Sequence, residues 1–172
     1  MKWTGVLPQT KEPWVKLANG QDLAAWNRDD EITYNQANRQ TQKYAFFVQA
    51  FDFLTENRIQ GDYHEYGCHQ GRTFRMALTE ARRHNCEMMK FFAFDSFEGL
   101  PRLKSKADVA LWKQGALCTS EEAFRDLIQQ HGIYADRCRT IKGFYQDALT
   151  PALQKRFVSQ EAKIALACVD CD

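Results

Sequence analysis

The sequence predicts an α/β fold built on a doubly wound parallel sheet, and three observations carry that expectation. From Gly61 onward, short apolar strand-like segments alternate with helix-like ones, which implies parallel crossover connections. The run Ile164-Ala165-Leu166-Ala167-Cys168-Val169 is apolar on both faces, as a central strand covered by helices on both sides should be. Each predicted strand is also followed by an acid or by a glycine turn near one, at the edge where open parallel sheets bind their ligands.

Taken in order, residues 1 to about 30 are punctuated by Trp3, Pro8, Pro13 and Trp14 without a sustained period and read as an irregular or partly helical arm. Tyr44, Phe47, Val48, Phe51 and Leu54 then recur at three- and four-residue steps, the pattern of an amphipathic helix. It reads as a helix covering a sheet, with a lid folded over a ligand as the alternative. This arm and helix make a first region, 1–58, ahead of a ligand-binding domain at 59–172. A strand is expected over Tyr63–Tyr66, then a Gly-bounded turn and a helix over Arg72–Arg83. Arg82, Arg83 and His84 follow at that helix's C-terminal end, where the macrodipole favours positive charge. A second strand spans Lys90–Phe94. After a long connection containing Pro101 and Gly115, Thr119 and Glu122 have the spacing of a capping box for a helix running to about Gln130. A third strand spans Cys138–Lys142. Thr150-Pro151 opens a short helix with proline at its tolerated first position, and Lys163–Val169 is the last strand.

Composition narrows the functional classes. Lys and Arg number 23 against 22 for Asp and Glu, so net charge gives no pull toward nucleic acid or an acidic membrane. No apolar run approaches the roughly 20 residues that span a bilayer, and the N-terminus has no signal-peptide core. A cytoplasmic protein is expected, with no nucleic-acid or membrane partner. The six cysteines read as buried or incidental thiols. Cys168 and Cys171 form a C-x-x-C pair, but this pair ends a strand, where residues three apart face opposite sides, and no second pair completes a zinc site.

The strand ends deliver Glu65 through Gly71, then Asp95 through Gly99, then Gly143 through Asp147, and finally Asp170-Cys171-Asp172. Gly67 and Gly71 permit a tight turn and close backbone approach. Their G-x-x-x-G spacing is not the G-x-G-x-x-G dinucleotide fingerprint, and an acid at Glu65 would repel a pyrophosphate while suiting an ammonium or sulfonium group. Asp95 can accept both hydroxyls of a ribose; capping a turn is its structural alternative. Together Glu65, Gly67, Gly71 and Asp95 favour an adenosine-containing cofactor.

The segments Gly61-Asp62-Tyr63-His64-Glu65-Tyr66-Gly67, Gln70-Gly71-Arg72-Thr73-Phe74-Arg75-Met76 and Phe94-Asp95-Ser96-Phe97-Glu98-Gly99-Leu100-Pro101 resemble the macrocin O-methyltransferase family. Lys142-Gly143-Phe144 with Asp147, and the closing Ile164-Ala165-Leu166 and Val169-Asp170-Cys171-Asp172, share the resemblance. It covers roughly residues 60–172. It implies a Rossmann-like, class I methyltransferase sheet, incomplete on its C-terminal side, that uses S-adenosylmethionine and Mg²⁺ to methylate a sugar-like hydroxyl on a small molecule. By that resemblance Glu65 and the Gly67–Gly71 turn hold the cofactor's methionine portion. Asp95 takes the ribose hydroxyls, Ser96 lies beside the adenosine, and the Gly143–Asp147 loop borders the adenine. Asp170 matches a Mg²⁺ ligand and Asp172 the general base. Members of the family continue past the last motif with further strands and metal-binding aspartates, so a C-terminally truncated member with an open sheet edge is expected. A homo-oligomer is left open. Two other readings stand beside this one: a nicotinamide-dependent oxidoreductase, and a non-catalytic module that keeps the sheet.

Overall fold

The computed structural model describes residues 28–102 and 113–171, with the side chains of the first helix from Gln40 onward. The arm before Arg28, most of the connection after Pro101, and Asp172 lie outside the described residues. Helix α1 (Arg28–Glu56) runs through the boundary between two compact units, Met1–Gln49 and Ala50–Asp172. In the first unit, Tyr44 and Phe47 are buried, and Phe46 stands edge-on to Phe47. Among the described residues no helix is long and apolar enough to cross a membrane.

The second unit contains the sheet. Its elements are β1 (Asp62–Tyr66), α2 (Arg72–Arg83), β2 (Phe91–Asp95), α3 (Glu121–His131) and β3 (Cys138–Lys142). A four-residue helical turn α4 (Tyr145–Ala148), α5 (Pro151–Ser159) and β4 (Ile164–Val169) complete it. The four strands lie in the order β3-β2-β1-β4 and all pairs are parallel. Chain order thus runs outward from β1 to β3 on one side and jumps to β4 on the other. The crevice between β1 and β4 is the topological switch point, the preferred ligand position in such sheets.

Side-chain alternation along β1 explains why both faces are covered. Tyr63 points to one face, where Phe74 of α2 lies 5.8 Å away ring to ring and Phe91 of β2 6.0 Å away. Phe124 of α3 closes this cluster at 5.4 Å from Phe74. His64 points to the other face, within 5.3 Å of the rings of Phe92, Phe94 and Phe157 of α5. These aromatic layers clamp helices to opposite faces of one sheet, the doubly wound arrangement that the sequence predicts. At the far end of α2, His84 bridges the carbonyl of Glu80 and the carboxylate of Asp52 on α1, each at 2.8 Å.

Two expectations are corrected. The cap of α3 is Ser120, whose hydroxyl accepts the Ala123 N–H at 3.1 Å, while Thr119 instead faces His69 Nδ1 at 3.3 Å. Ser120 wins because it has the extended backbone an N-cap requires and places its oxygen three residues ahead of a free N–H. Strand β4 is also not covered on both faces: Ile164 is 53% and Val169 70% exposed, because β4 is the edge strand of this sheet. The proline expectation holds, with Thr150 capping α5 through the Leu153 N–H at 3.2 Å.

His64 supplies a test of the buried face. Its Nε2 has no hydrogen-bond partner, and burial lowers its pKa, opposed in part by the nearby Asp62 charge. The ring is therefore neutral in the folded state, and protonation favours unfolding. Stability should be full above the ordinary value of about 6.5 and should fall as pH drops from there toward the lowered folded value. Urea unfolding at about pH 7.5 and about pH 5.5 checks this: the wild type should lose more stability across that step than His64→Gln. An equal loss in both would contradict it.

Candidate active site

Three hydrogen bonds zip the strand ends together beyond the sheet's carboxyl edge. The Gly67 N–H donates to the Phe94 carbonyl at 2.9 Å, the Gly143 N–H to the Asp95 carbonyl at 3.0 Å, and the Asp170 N–H to the Tyr66 carbonyl at 3.0 Å. Gly67, Asp95, Gly143 and Asp170, each singled out from sequence, are thereby brought to one edge. At Gly67 the backbone has φ +85°, and a Cβ there would lie 2.6 Å from the Asp170 carbonyl oxygen and 3.1 Å from Cys171 Cβ. Only glycine lets the turn after β1 pass this close to the segment after β4. Gly71, at φ +63°, ends the turn against Phe124, whose ring lies 3.0 Å from where its Cβ would be. Gly71 caps α2 without a side-chain hydrogen bond, and the first turn of that helix holds no acid. The amide donors at this helix start are thus not met by a side-chain cap, a setting suited to an anionic group.

The carboxylate of Asp95 organises the turns on either side of it. Its Oδ2 accepts the N–H groups of Cys68 at 2.7 Å and His69 at 3.2 Å, and its Oδ1 accepts that of Phe97 at 2.8 Å. His69 and Phe97 both have positive φ, 39° and 54°, a region disfavoured for residues with a Cβ. One carboxylate therefore fixes two strained backbone positions, one after β1 and one after β2. A carboxylate has about four lone-pair directions, so three donors leave it capacity for a further hydroxyl.

Glu65 is placed differently. It is fully buried, with Oε1 accepting from the Thr73 hydroxyl at 2.8 Å and Oε2 from the Tyr63 hydroxyl. The side chain thus ties β1 to the first turn of α2 under the glycine turn. Ser96 donates to the Gly99 carbonyl at 2.9 Å and accepts the Glu98 N–H at 3.1 Å, closing a tight loop after β2. Asp147 is exposed on α4, and its N–H bonds the Phe144 carbonyl at 2.8 Å. Asp172 lies outside the described residues, and among them no group of three His, Cys, Asp or Glu side chains is arranged to hold a metal ion.

Two further residues stand at this edge. Cys68 is buried, and burial followed by the charges of Glu65 and Asp95 raises its thiol pKa well above the usual range, so it stays protonated and is no nucleophile. Tyr145 opens α4, yet its ring meets that of Tyr66 at 6.3 Å, and burial, with Cys171 nearby, raises the pKa of its hydroxyl. Its position just after Gly143-Phe144 is the available signal, but nothing local to the sequence says that a residue after β3 reaches across to β1.

A parallel sheet wound on both faces, with a glycine turn after its first strand and an acid after its second, is the Rossmann-like fold of class I methyltransferases. The sequence matches the profile of the macrocin O-methyltransferase (TylF) family over residues 31–172, and the chain belongs to that family. S-adenosylmethionine is the cofactor of such methyltransferases. Among solved structures, the O-methyltransferase NovP superposes with a TM-score of 0.55 at 22% identity, over 63% of this chain and 48% of NovP. CalS11, a calicheamicin methyltransferase, gives a TM-score of 0.57 at 16% identity, over 90% of this chain and 73% of CalS11. The chain thus spans about half the length of NovP. A comparison with curated proteins finds no match.

The turn geometry predicts the effect of filling Gly67. Gly67→Ala should destabilise the fold by about 1–3 kcal/mol from the left-handed backbone alone, with the contact to the Asp170 carbonyl adding to it. Chemical denaturation measures this, and a change within error of zero would show that the turn is not constrained as described.

Proposed function

We propose that the protein transfers the methyl group of S-adenosylmethionine to a hydroxyl of a sugar-like small molecule. The observation that carries the reading is the convergence of Gly67, Asp95, Gly143 and Asp170 on one sheet edge, at the switch point of a member of this family. The residues present fit the cofactor. Gly67 leaves room that a Cβ would fill, Asp95 keeps lone-pair capacity for a ribose hydroxyl, and the start of α2 can receive the methionine carboxylate. Ser96 and the Gly143–Asp147 loop would flank the adenosine. Glu65 would act indirectly, by fixing the turn through Tyr63 and Thr73.

The cofactor supplies a methyl already activated on a cationic sulfur, so the enzyme's part is mainly alignment and exclusion of water. The close approach of the turn after β1 to the segment after β4 supports that role. Asp172 is the candidate base that accepts the acceptor's proton. The Mg²⁺ ion that the resemblance implies belongs to the same reading, with Asp170 as its candidate carboxylate. One carboxylate among the described residues does not by itself make a hard-cation site. CalS11, which shares the fold, is described as a calicheamicin methyltransferase, in keeping with a small-molecule acceptor.

Isothermal titration calorimetry tests the reading. S-adenosylhomocysteine should bind, NADH should not, and Asp95→Ala should weaken binding at least about tenfold, as expected for losing a charged hydrogen-bond acceptor. Binding of NADH in preference to S-adenosylhomocysteine would overturn the assignment.

A further inference from the structure

The C-terminal end of α2, one helix length from the carboxyl edge of the sheet, holds a cluster of ionisable side chains that the proposed reaction does not use. His84 caps the helix, and its side chain is 15% exposed. Its Nδ1 lies 2.8 Å from the Glu80 carbonyl oxygen, and its Nε2 lies 2.8 Å from Oδ1 of Asp52 on α1. A carbonyl and a carboxylate only accept, whereas a neutral imidazole carries one N–H and one bare nitrogen. A neutral ring would satisfy one of these contacts and set a lone pair against oxygen in the other. Only a ring with hydrogen on both nitrogens satisfies the two together.

The surroundings favour that cation. The Glu80 side chain is fully buried, with Oε1 3.1 Å from Arg83 Nη1 and Oε2 3.8 Å from His84 Nδ1. A buried carboxylate is costly unless cations stand beside it. The ring also sits at a helix C-terminus, where the macrodipole favours positive charge. Among the described residues, the other titratable group in contact is Cys86, whose Sγ lies 4.0 Å from the His84 carbonyl. Burial, then the Glu87 charge, raise its thiol pKa, so it stays neutral. On the α1 side Asp52 supplies the facing charge, and Phe51, fully buried, flanks the ring at 6.0 Å.

We propose that His84 is a proton-dependent clasp between α1 and α2. As an imidazolium it donates to both helices. When one ring proton leaves to solvent, it keeps a single bond and repels the other acceptor, which loosens the last turns of α1 from α2. The clasp is independent of the methyltransferase reading, and its test involves no cofactor. In the full chain labelled with ¹⁵N, long-range ¹H–¹⁵N spectra report the protonation of each His84 ring nitrogen. Amide exchange reports the protection of Phe51–Glu56 against that of β2, and both are followed as pH is raised until the ring loses its proton. Both nitrogens should carry hydrogen while Phe51–Glu56 is protected. As the ring deprotonates, protection there relative to Phe91–Asp95 should fall about fivefold, the worth of one hydrogen bond. Asp52→Asn, whose amide can donate to a neutral Nε2, should keep the protection and abolish its pH dependence. A bare ring nitrogen in the wild type while Phe51–Glu56 is protected overturns the clasp. So does protection that does not change as the ring deprotonates, or that falls equally in Asp52→Asn. The wild-type ring spectra decide the question even if the variant does not fold.

Discussion

Asp95 accepts three backbone N–H groups with one carboxylate, two from the turn after β1 and one from the loop after β2. The geometry of the carboxyl edge depends on that arrangement. His69 and Phe97 adopt positive φ, which costs on the order of 1–3 kcal/mol each for such residues and persists only where surrounding bonds over-determine it. Asp95 supplies those bonds to both. Its own carbonyl receives the Gly143 N–H, so three of the four strand ends are indexed to a single residue. The fourth, β4, is brought in by the Asp170 N–H on Tyr66 and by the absence of a side chain at Gly67.

This arrangement separates the two acids that the sequence places side by side as ligand contacts. Glu65 is buried beneath the turn and bonded to Tyr63 and Thr73, so it sets the direction of α2. Asp95 is part-buried at the edge itself. In the proposed function Asp95 is the residue that both builds the turn and meets the cofactor, and removal of its carboxylate would disturb the two together. Tyr145, which follows β3, reaches back past β2 to meet Tyr66 at the end of β1.

Much of the fold is legible in the sequence because its signals are local. The apolar spacing of α2, the Thr150-Pro151 start of α5 and the bounds of β3 follow from periodicity and capping chemistry alone. The α3 cap lies one residue beyond the position its sequence suggests, because Thr119 and Ser120 are both competent caps and the backbone conformation that decides between them is set outside the motif. The open edge at β4 agrees with the sequence reading, but cover on both of its faces does not follow, because an apolar run reports only what a strand can bury. At the site, Gly67, Asp95 and Asp170 were visible from their places after strands. The contact of Tyr145 with Tyr66 is not, since it joins two segments far apart in sequence.

The central claim, that the edge organised by Asp95 is the cofactor site, is tested most directly by amide chemical-shift mapping with S-adenosylhomocysteine. The largest perturbations should fall on Gly67 through His69, Ser96, Phe97 and Gly143, with the amides at the opposite edge, around Cys86 and Met89, unmoved. Perturbations centred away from the strand ends, or none at saturating ligand, would contradict it.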